Sequence, residues 1–218
     1  MKFFSKFSAL GAVLVLTTAF ASADTIQLGS YGQNANGITV TGNANSALMI
    51  AGGSTYNIGD GGTWTAAVGS ASHLSSWVSQ NTGNYPGGGN VEPNGIYTFT
   101  STFNLANSMY AGSISVMADD TTDVYLNGNL VQSFAGGANS TCQTLQPNCT
   151  VPLLVTLPYG DFMTGLNTLT FDVHQTNGSA EGVDFSGSIS SVPEPSSLIL
   201  LGTGLLGAAG TLMRKIRS

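Results

Sequence analysis

The feature that most limits what this chain can fold into is a repeated alternation of apolar and polar residues between glycine-rich turns. Tyr97, Phe99 and Phe103 alternate with threonines within 96–105, and Leu169 and Phe171 alternate with polar residues within 167–174. A period of two is typical of β-strands that bury one face. Further candidate strands cover 25–28, 37–41, 46–51, 63–68, 112–118, 151–157 and 182–190. The sequence therefore predicts an all-β sandwich or barrel.

One turn is predicted in detail. Asn127-Gly128 is the strongest hairpin signal in the chain, because both residue types tolerate the positive φ that a type I′ turn requires. A two-residue turn here predicts the strand pairs Leu126–Asn129, Tyr125–Leu130 and Val124–Val131.

The N-terminus is typical of a secretory signal peptide. Lys2 and Lys6 form a charged start, 7–20 is largely apolar, and Ala21-Ser22-Ala23 offers a cleavage site before Asp24. We therefore expect residues 1–23 to direct export by the Sec machinery, and 24–191 to form one exported β-domain.

The C-terminus, 192–218, has three parts in a fixed order. Val192-Pro193-Glu194-Pro195 comes first, an uncharged apolar run covers 196–213, and Arg214, Lys215 and Arg217 close the chain. A helix over 196–213 would extend about 27 Å, enough for a thin hydrocarbon core. The sequence therefore predicts a transmembrane helix with a cytoplasmic C-terminus.

This three-part ending resembles the PEP-CTERM sorting signal of Gram-negative bacteria. The resemblance implies that an exosortase-type membrane protease cleaves near Pro193-Glu194-Pro195. The protein would then be membrane-anchored only before processing, and would end at the cell surface or outside the cell. The alternative is a plain C-terminal anchor with a chance Pro-Glu-Pro sequence.

Charge is divided unequally along the chain. The five basic residues are Lys2, Lys6, Arg214, Lys215 and Arg217, and every acidic residue except Glu194 lies within 24–191. The region 24–191 is therefore acidic and has no lysine or arginine for a salt bridge. Such a surface repels nucleic acid, so we expect no nucleic-acid partner. Divalent cations and neutral polymers remain as partners, with solubility as the alternative purpose of the charge.

The chain contains two cysteines, Cys142 and Cys149. In an oxidising compartment outside the inner membrane we expect them to form one disulfide that closes a small loop. A metal pair is the alternative, although neither cysteine has a further Cys or His at ligand spacing.

The second half of the chain carries a further resemblance. The Val124-Tyr-Leu-Asn-Gly128 hairpin and the later Gly165-Leu-Asn-Thr-Leu-Thr-Phe171 segment resemble elements of the galactose-binding-like jelly roll. The resemblance covers about 112–190, and the cysteine-bearing segment between the two elements is an insertion. It implies a jelly-roll-like β-sandwich, a fold that serves as a carbohydrate-binding module in many proteins. It transfers no catalytic residue.

Asp119, Asp120 and Asp123 form the best candidate metal site. Three carboxylates within five residues supply the hard oxygen ligands that Ca²⁺ prefers. The alternative is a solvated turn in which the aspartates accept hydrogen bonds from local backbone amides.

Three aromatic residues, Tyr85, Trp64 and Trp77, are candidates for sugar stacking. Tyr85 lies beside the glycine-rich 86–89 segment, in a loop that could form the rim of a ligand site. For Trp64 and Trp77 the alternative is a place in the core, where large aromatic residues are common.

The sequence contains no nucleophile elbow, zinc-protease motif or phosphate loop, so we expect no enzymatic activity. The leading hypothesis is an exported surface or matrix protein that is associated with exopolysaccharide in a biofilm and binds carbohydrate. A glycosidase-like enzyme and a passive structural component of the matrix are the alternatives.

Overall fold

The chain forms an all-β body that is followed by one helix. The structure, a computed structural model, describes residues 23–37, 41–60, 62–84, 89, 91–134, 142, 145–176, 178–192 and 195–217. The first strands are β1 (Thr25–Gly29), β2 (Ala44–Asn45), β3 (Leu48–Ile50), β4 (Thr55–Ile58), β5 (Trp77–Ser79) and β6 (Gly95–Leu105). The later elements are β7 (Tyr110–Asp119), β8 (Thr121–Leu126), β9 (Asn129–Gln132), β10 (Leu153–Leu157), β11 (Gly165–Gln175), β12 (Gly182–Ser191) and helix α1 (Pro195–Arg217).

The strands form two antiparallel sheets. In the larger sheet the order is β10-β7-β12-β5-β4-β2, and β1 pairs with β12 beside β5. In the smaller sheet the order is β3-β6-β11-β8-β9.

The strand order defines a jelly roll. From β6 to β12 the chain passes back and forth between the two sheets, apart from the β8–β9 hairpin, which stays in the smaller sheet. The central strands then lie in the orders β1-β12-β7-β10 and β6-β11-β8-β9, which is the double Greek-key arrangement of this fold. The predicted jelly-roll-like β-sandwich is confirmed.

The main core lies between the two sheets. Ile114 and Val116 of β7 face Phe171 and Val173 of β11, and all four are buried. Phe171 also packs against Phe185 of β12, with ring centroids 4.7 Å apart. Each such side chain contributes about 2–3 kcal/mol by burial, which explains why the alternating segments set the fold.

A second, smaller cluster covers the outer face of the larger sheet. Trp64 and Trp77 stack there with ring centroids 4.3 Å apart, and they pack with Ile58, Met117 and Cys149. The strand predicted at 63–68 is wrong: this segment is a loop that places the Trp64 ring over the sheet. A Cβ atom on Gly182 would lie 2.8 Å from that ring, so the close approach requires glycine.

The hairpin forms as predicted for its first two pairs. Asn127 and Gly128 have φ values of 52° and 84°, and Leu126–Asn129 and Tyr125–Leu130 are paired. The third predicted pair is wrong, because a β-bulge shifts Val124 to pair with Gln132.

The ends of the chain are described in part. The signal peptide predicted at 1–23 lies outside the described residues except for Ala23, as does most of the predicted strand at 37–41. Helix α1 covers the whole of the predicted apolar run 196–213. Within the described part of the chain, no helix has the length and apolar character needed to cross a membrane.

Candidate functional site

The outer face of the smaller sheet carries a cluster of aromatic and acidic side chains, which we call the platform: Asp123, Tyr125, Phe134, Asp172 and His174. Its position follows from the alternation of the strands. Because Val124, Phe171 and Val173 point into the core, their neighbours along β8 and β11 must point to the opposite face. Phe134 reaches the same face from the segment that follows β9.

Three platform residues form one bonded unit. His174 Nε2 lies 2.8 Å from Asp123 Oδ2. The Phe134 backbone N–H donates to Asp123 Oδ1 at 2.8 Å. The Phe134 ring stacks on the His174 ring with centroids 4.1 Å apart and planes 20° from parallel. Phe134 nevertheless remains 41% exposed, so an immobilised aromatic ring is presented to solvent.

The two remaining members add charge and a phenol. Asp172 lies directly opposite Asp123 on the neighbouring strand, and it accepts a hydrogen bond from Thr98 Oγ1 at 2.6 Å. Local desolvation, and then the negative charges of Asp123 and Asp172, raise the pKa of the Tyr125 phenol. The phenol therefore lies within electrostatic reach of both carboxylates.

The platform can contact a ligand in two ways. The rings of Phe134 and Tyr125 can pack against an apolar ligand face, while the carboxylates accept hydrogen bonds from hydroxyl or amino groups. Like charges directly opposite each other on paired strands repel. His174 contacts Asp123, but 24–191 has no lysine or arginine to neutralise both carboxylates. The platform therefore favours neutral or cationic ligands over anionic ones.

The predicted calcium residues do not share one site. Asp119 is buried, and its Oδ2 accepts a 2.6 Å hydrogen bond from Trp64 Nε1. Asp120 is also buried, and its Oδ2 accepts from both the N–H and the Oγ1 of Thr176. Asp123 instead belongs to the platform. The described residues contain no group of three or more His, Cys, Asp or Glu residues that could hold a metal ion.

Asp119 and Asp120 contact each other. Burial is the main cause that raises the pKa of Asp119; the Trp64 hydrogen bond opposes this, and the contact with Asp120 adds to it. Within the described residues, Oδ1 of each aspartate finds no hydrogen-bond donor. Two carboxyl groups in contact attract only when one holds a proton, so the pair favours a protonated Asp119.

Two more buried carboxylates lie near the start of β12. Glu181 Oε1 accepts from Ser79 Oγ at 2.5 Å and from Asn84 Nδ2 at 3.2 Å, and Asn84 Nδ2 also donates to Glu92 Oε1 at 2.9 Å. Burial raises the pKa of Glu181 to about 7 against these hydrogen bonds. The network ties both ends of the 81–94 loop to the sandwich.

Asp184 is the second buried carboxylate near the start of β12. It lies on the outer face of the larger sheet beneath the 62–76 segment, where its Oδ2 accepts from the Val68 N–H at 2.7 Å. Burial raises its pKa to about 6, against hydrogen bonds from Ser75 and Val68.

The aromatic residues predicted to stack on sugars have different positions. Trp64 and Trp77 are 4% and 1% exposed, so they cannot present a ring face on the surface, and the core alternative is correct for both. Tyr85 lies outside the described residues. The platform aromatics were not predicted, although Tyr125 alternates with core residues in β8.

The disulfide is confirmed. Cys142 and Cys149 are bonded, and Cys149 is buried against the cluster that contains Trp64 and Met117. The disulfide therefore joins the insertion to the layer that covers the larger sheet.

The C-terminal segment leaves the sandwich directly after β12. The Val192 N–H still donates to the Met109 carbonyl at 2.7 Å. Pro193 and Glu194 lie outside the described residues, and Pro195 begins α1. Of the basic residues, Arg214 and Lys215 are exposed on this helix, and Arg217 is its last residue.

Comparison with known families identifies this ending. Residues 191–215 match the PEP-CTERM protein-sorting motif, so the predicted sorting signal is confirmed. No curated protein matches the chain.

Solved structures with some likeness to the chain include carbohydrate-binding modules and an enzyme that contains one. The Podospora anserina GH26-CBM35 β-(1,4)-mannanase is 16% identical over 78% of this chain and 28% of its own, with a TM-score of 0.34. A family 35 carbohydrate-binding module from Clostridium thermocellum is 13% identical over 76% of this chain and 98% of its own, with a TM-score of 0.33. A CBM35 from Paenibacillus barcinonensis is 10% identical over 77% of this chain and 98% of its own, with a TM-score of 0.31. The chain thus spans about 28% of the mannanase. Because these TM-scores are low, the assignment of the jelly-roll fold depends on the strand order alone.

Proposed function

We propose that this chain is an exported surface or matrix protein that binds a neutral or amino-bearing polysaccharide through the platform. The observation that carries the proposal is the exposed Phe134 ring, held on His174 and Asp123 beside Tyr125 and Asp172. Immobilised aromatic rings next to carboxylates suit a sugar, because a pyranose has an apolar C–H face and a rim of hydroxyl groups.

The sorting motif supports the location. An exosortase-type protease acts near Pro193-Glu194-Pro195 after Sec export and releases the sandwich outside the inner membrane of a Gram-negative cell. If the released protein reaches the cell surface, exopolysaccharide of a biofilm is a polymer that it can bind there.

Charge limits the polymer class. A polysaccharide rich in uronic acids or sulfate would face Asp123 and Asp172 with no lysine or arginine nearby. A neutral polymer avoids this repulsion, and free amino groups would turn it into attraction.

A glycan array tests the proposal. We expect the purified full chain to bind neutral or amino-bearing polysaccharides, and Tyr125→Ala and Phe134→Ala to weaken that binding about tenfold each through the lost stacking. Tyr159, which is 48% exposed outside the platform, supplies the matched control Tyr159→Ala, with unchanged binding. Binding only to anionic glycans, or equal binding by all three variants, would contradict the proposal.

A second candidate function is glycoside hydrolysis, and one observation favours it. Asp123 and Asp172 lie directly opposite each other on paired strands, where Cβ atoms are about 5 Å apart, and glycosidases act through two carboxyl groups at short separation. Release of reducing ends from a bound polysaccharide, lost in Asp172→Asn, would support hydrolysis. Binding without release of reducing ends supports a binding protein.

A further inference from the structure

A row of side chains crosses the outer face of the smaller sheet and includes one member of the platform. Met49 of β3 lies opposite Thr100 of β6, which lies opposite Thr170 of β11. Thr170 lies opposite Tyr125 of β8, which lies opposite Leu130 of β9. Residues directly opposite each other on antiparallel strands share one face of the sheet. These five side chains therefore form one continuous line, which we call the row.

The row is accessible at both of its ends. Met49 lies on β3 and Leu130 lies on β9, and these are the two edge strands of the smaller sheet. The two side chains are 59% and 54% exposed. A polymer that lies along the row can therefore continue past either edge of the sheet.

The length of the row follows from the geometry of a sheet. Neighbouring strands lie about 4.8 Å apart, so the row extends about 19 Å from β3 to β9. A pyranose residue in an extended chain is about as long as one strand spacing. The row therefore offers room for about four sugar residues.

The chemistry of the row differs from that of its two sides. The row is uncharged, and it presents a methionine, two threonines, a tyrosine and a leucine. Asp123 and Asp172 lie opposite each other along one side, and Thr102 lies opposite Thr168 along the other. A line of rings and methyl groups between hydrogen-bonding groups matches a chain of pyranoses, which combine apolar C–H faces with hydroxyl groups at the rim.

We propose that the row binds an internal stretch of about four residues of a linear neutral or amino-bearing polysaccharide, with the polymer running across the strands. This inference rests on the proposed function, to which it adds the direction and the length of the bound stretch. Such a site favours long chains over monosaccharides, because a single sugar at Tyr125 leaves Met49 and Leu130 without contact.

The dependence of affinity on sugar length tests the inference. The purified full chain would be titrated calorimetrically with size-fractionated fragments of the host's exopolysaccharide, from one to six residues long. We expect the affinity to rise about tenfold between two and four residues and to change little beyond about five.

Truncation of the two ends of the row supplies the variant. Met49→Ala/Leu130→Ala should weaken binding of four-residue fragments about tenfold and leave binding of two-residue fragments at Tyr125 and Phe134 unchanged. The matched control is Met163→Ala/Leu154→Ala, which truncates a methionine and a leucine that are 49% and 66% exposed outside the row. This control should bind every fragment as the parent does.

Three results would overturn the inference. They are an affinity that stops rising at two residues, binding of the whole polymer but of no fragment, and equal binding of four-residue fragments by the parent and the Met49 and Leu130 variant. Each leaves the proposed function standing if Tyr125→Ala and Phe134→Ala still weaken binding of the whole polymer. A parent that binds neither the fragments nor the polymer would contradict the proposed function as well.

Discussion

The indole N–H of Trp64 donates to the buried carboxylate of Asp119 at 2.6 Å, in a region that has no lysine or arginine. The other buried acids of the sandwich also rely on neutral donors, as Glu181 does on Ser79 and Asn84. Neutral donors offset only part of the cost of burying a charge. Protonation of these carboxylates removes the remaining cost, so the stability of the sandwich depends on pH.

We expect the sandwich to be more stable in mild acid than in mild base. The pKa of Glu181 rises from 4.5 to about 7, and that of Asp184 from 3.8 to about 6; the pKa of Asp119 is also raised. A raised folded-state pKa gives stability that is complete below the unfolded value and is lost as pH rises through the folded one. For Glu181, the free energy of unfolding that is lost as pH rises from its unfolded to its folded pKa is on the order of 3 kcal/mol.

Thermal unfolding followed by circular dichroism checks this expectation. The Tm should fall by roughly 15 °C between pH 4.5 and pH 8. Glu181 and Asp184 lose their contribution up to about pH 7, and Asp119 continues the fall above it. A Tm that rises over the same interval would show that these carboxylates are ionised in the folded protein at little cost.

Asp119→Asn should raise the Tm at pH 8 and flatten its dependence on pH. The amide keeps an acceptor for Trp64 and offers Asp120 a donor in place of the shared proton. Asp60→Asn is the control, because Asp60 is exposed, and its Tm should change with pH as that of the parent does. A variant that is less stable than the parent at pH 8 would contradict the shared proton.

Calcium binding by Asp119 and Asp120 is the alternative to a proton shared between them. An ion held by Asp119 and Asp120 would raise the Tm of the parent in millimolar calcium chloride at pH 8, and Asp119→Asn would remove that response. The shared proton predicts that calcium changes the Tm of neither protein.

Much of the sandwich could be predicted because its central strands bury one face each. The alternation in β6, β7, β11 and β12 follows directly from that geometry. The sequence does not predict strand β4, because this strand buries the polar residues Thr55 and Asn57 and so shows no apolar alternation.

The sites were harder to predict, for two physical reasons. Charged residues are mostly exposed, so nothing local in the sequence indicates that the 62–76 segment covers Asp184. The platform joins Asp123, Phe134 and His174, which strand pairing brings together across long stretches of chain. The apolar residues around Trp64 predict a strand, yet those residues cover the sheet rather than extend it.

The disulfide should stabilise the sandwich modestly. Cys142 and Cys149 are separated by 7 positions, and closing so short a loop contributes about 2 kcal/mol. We expect reductant to lower the Tm of the parent by about 5 °C and to have no effect on a Cys142→Ala/Cys149→Ala variant. An equal response of both proteins to reductant would contradict this assignment.

The sorting motif predicts a specific processed end. Mass spectrometry of the protein from its host should find a C-terminus near Val192–Pro195. Pro193→Ala/Glu194→Ala should leave the chain uncleaved, and Pro158→Ala outside the motif should be processed normally. An intact Ser218 on the mature parent protein would make the segment a plain anchor.

The most direct test of the proposed function is affinity electrophoresis of the full chain through gels that contain the host's exopolysaccharide. The parent and Tyr159→Ala should be retarded equally, and Tyr125→Ala/Phe134→Ala should migrate as in a gel without polysaccharide. Equal retardation of the platform variant and the parent, or no retardation of the parent, would contradict polysaccharide binding through this face.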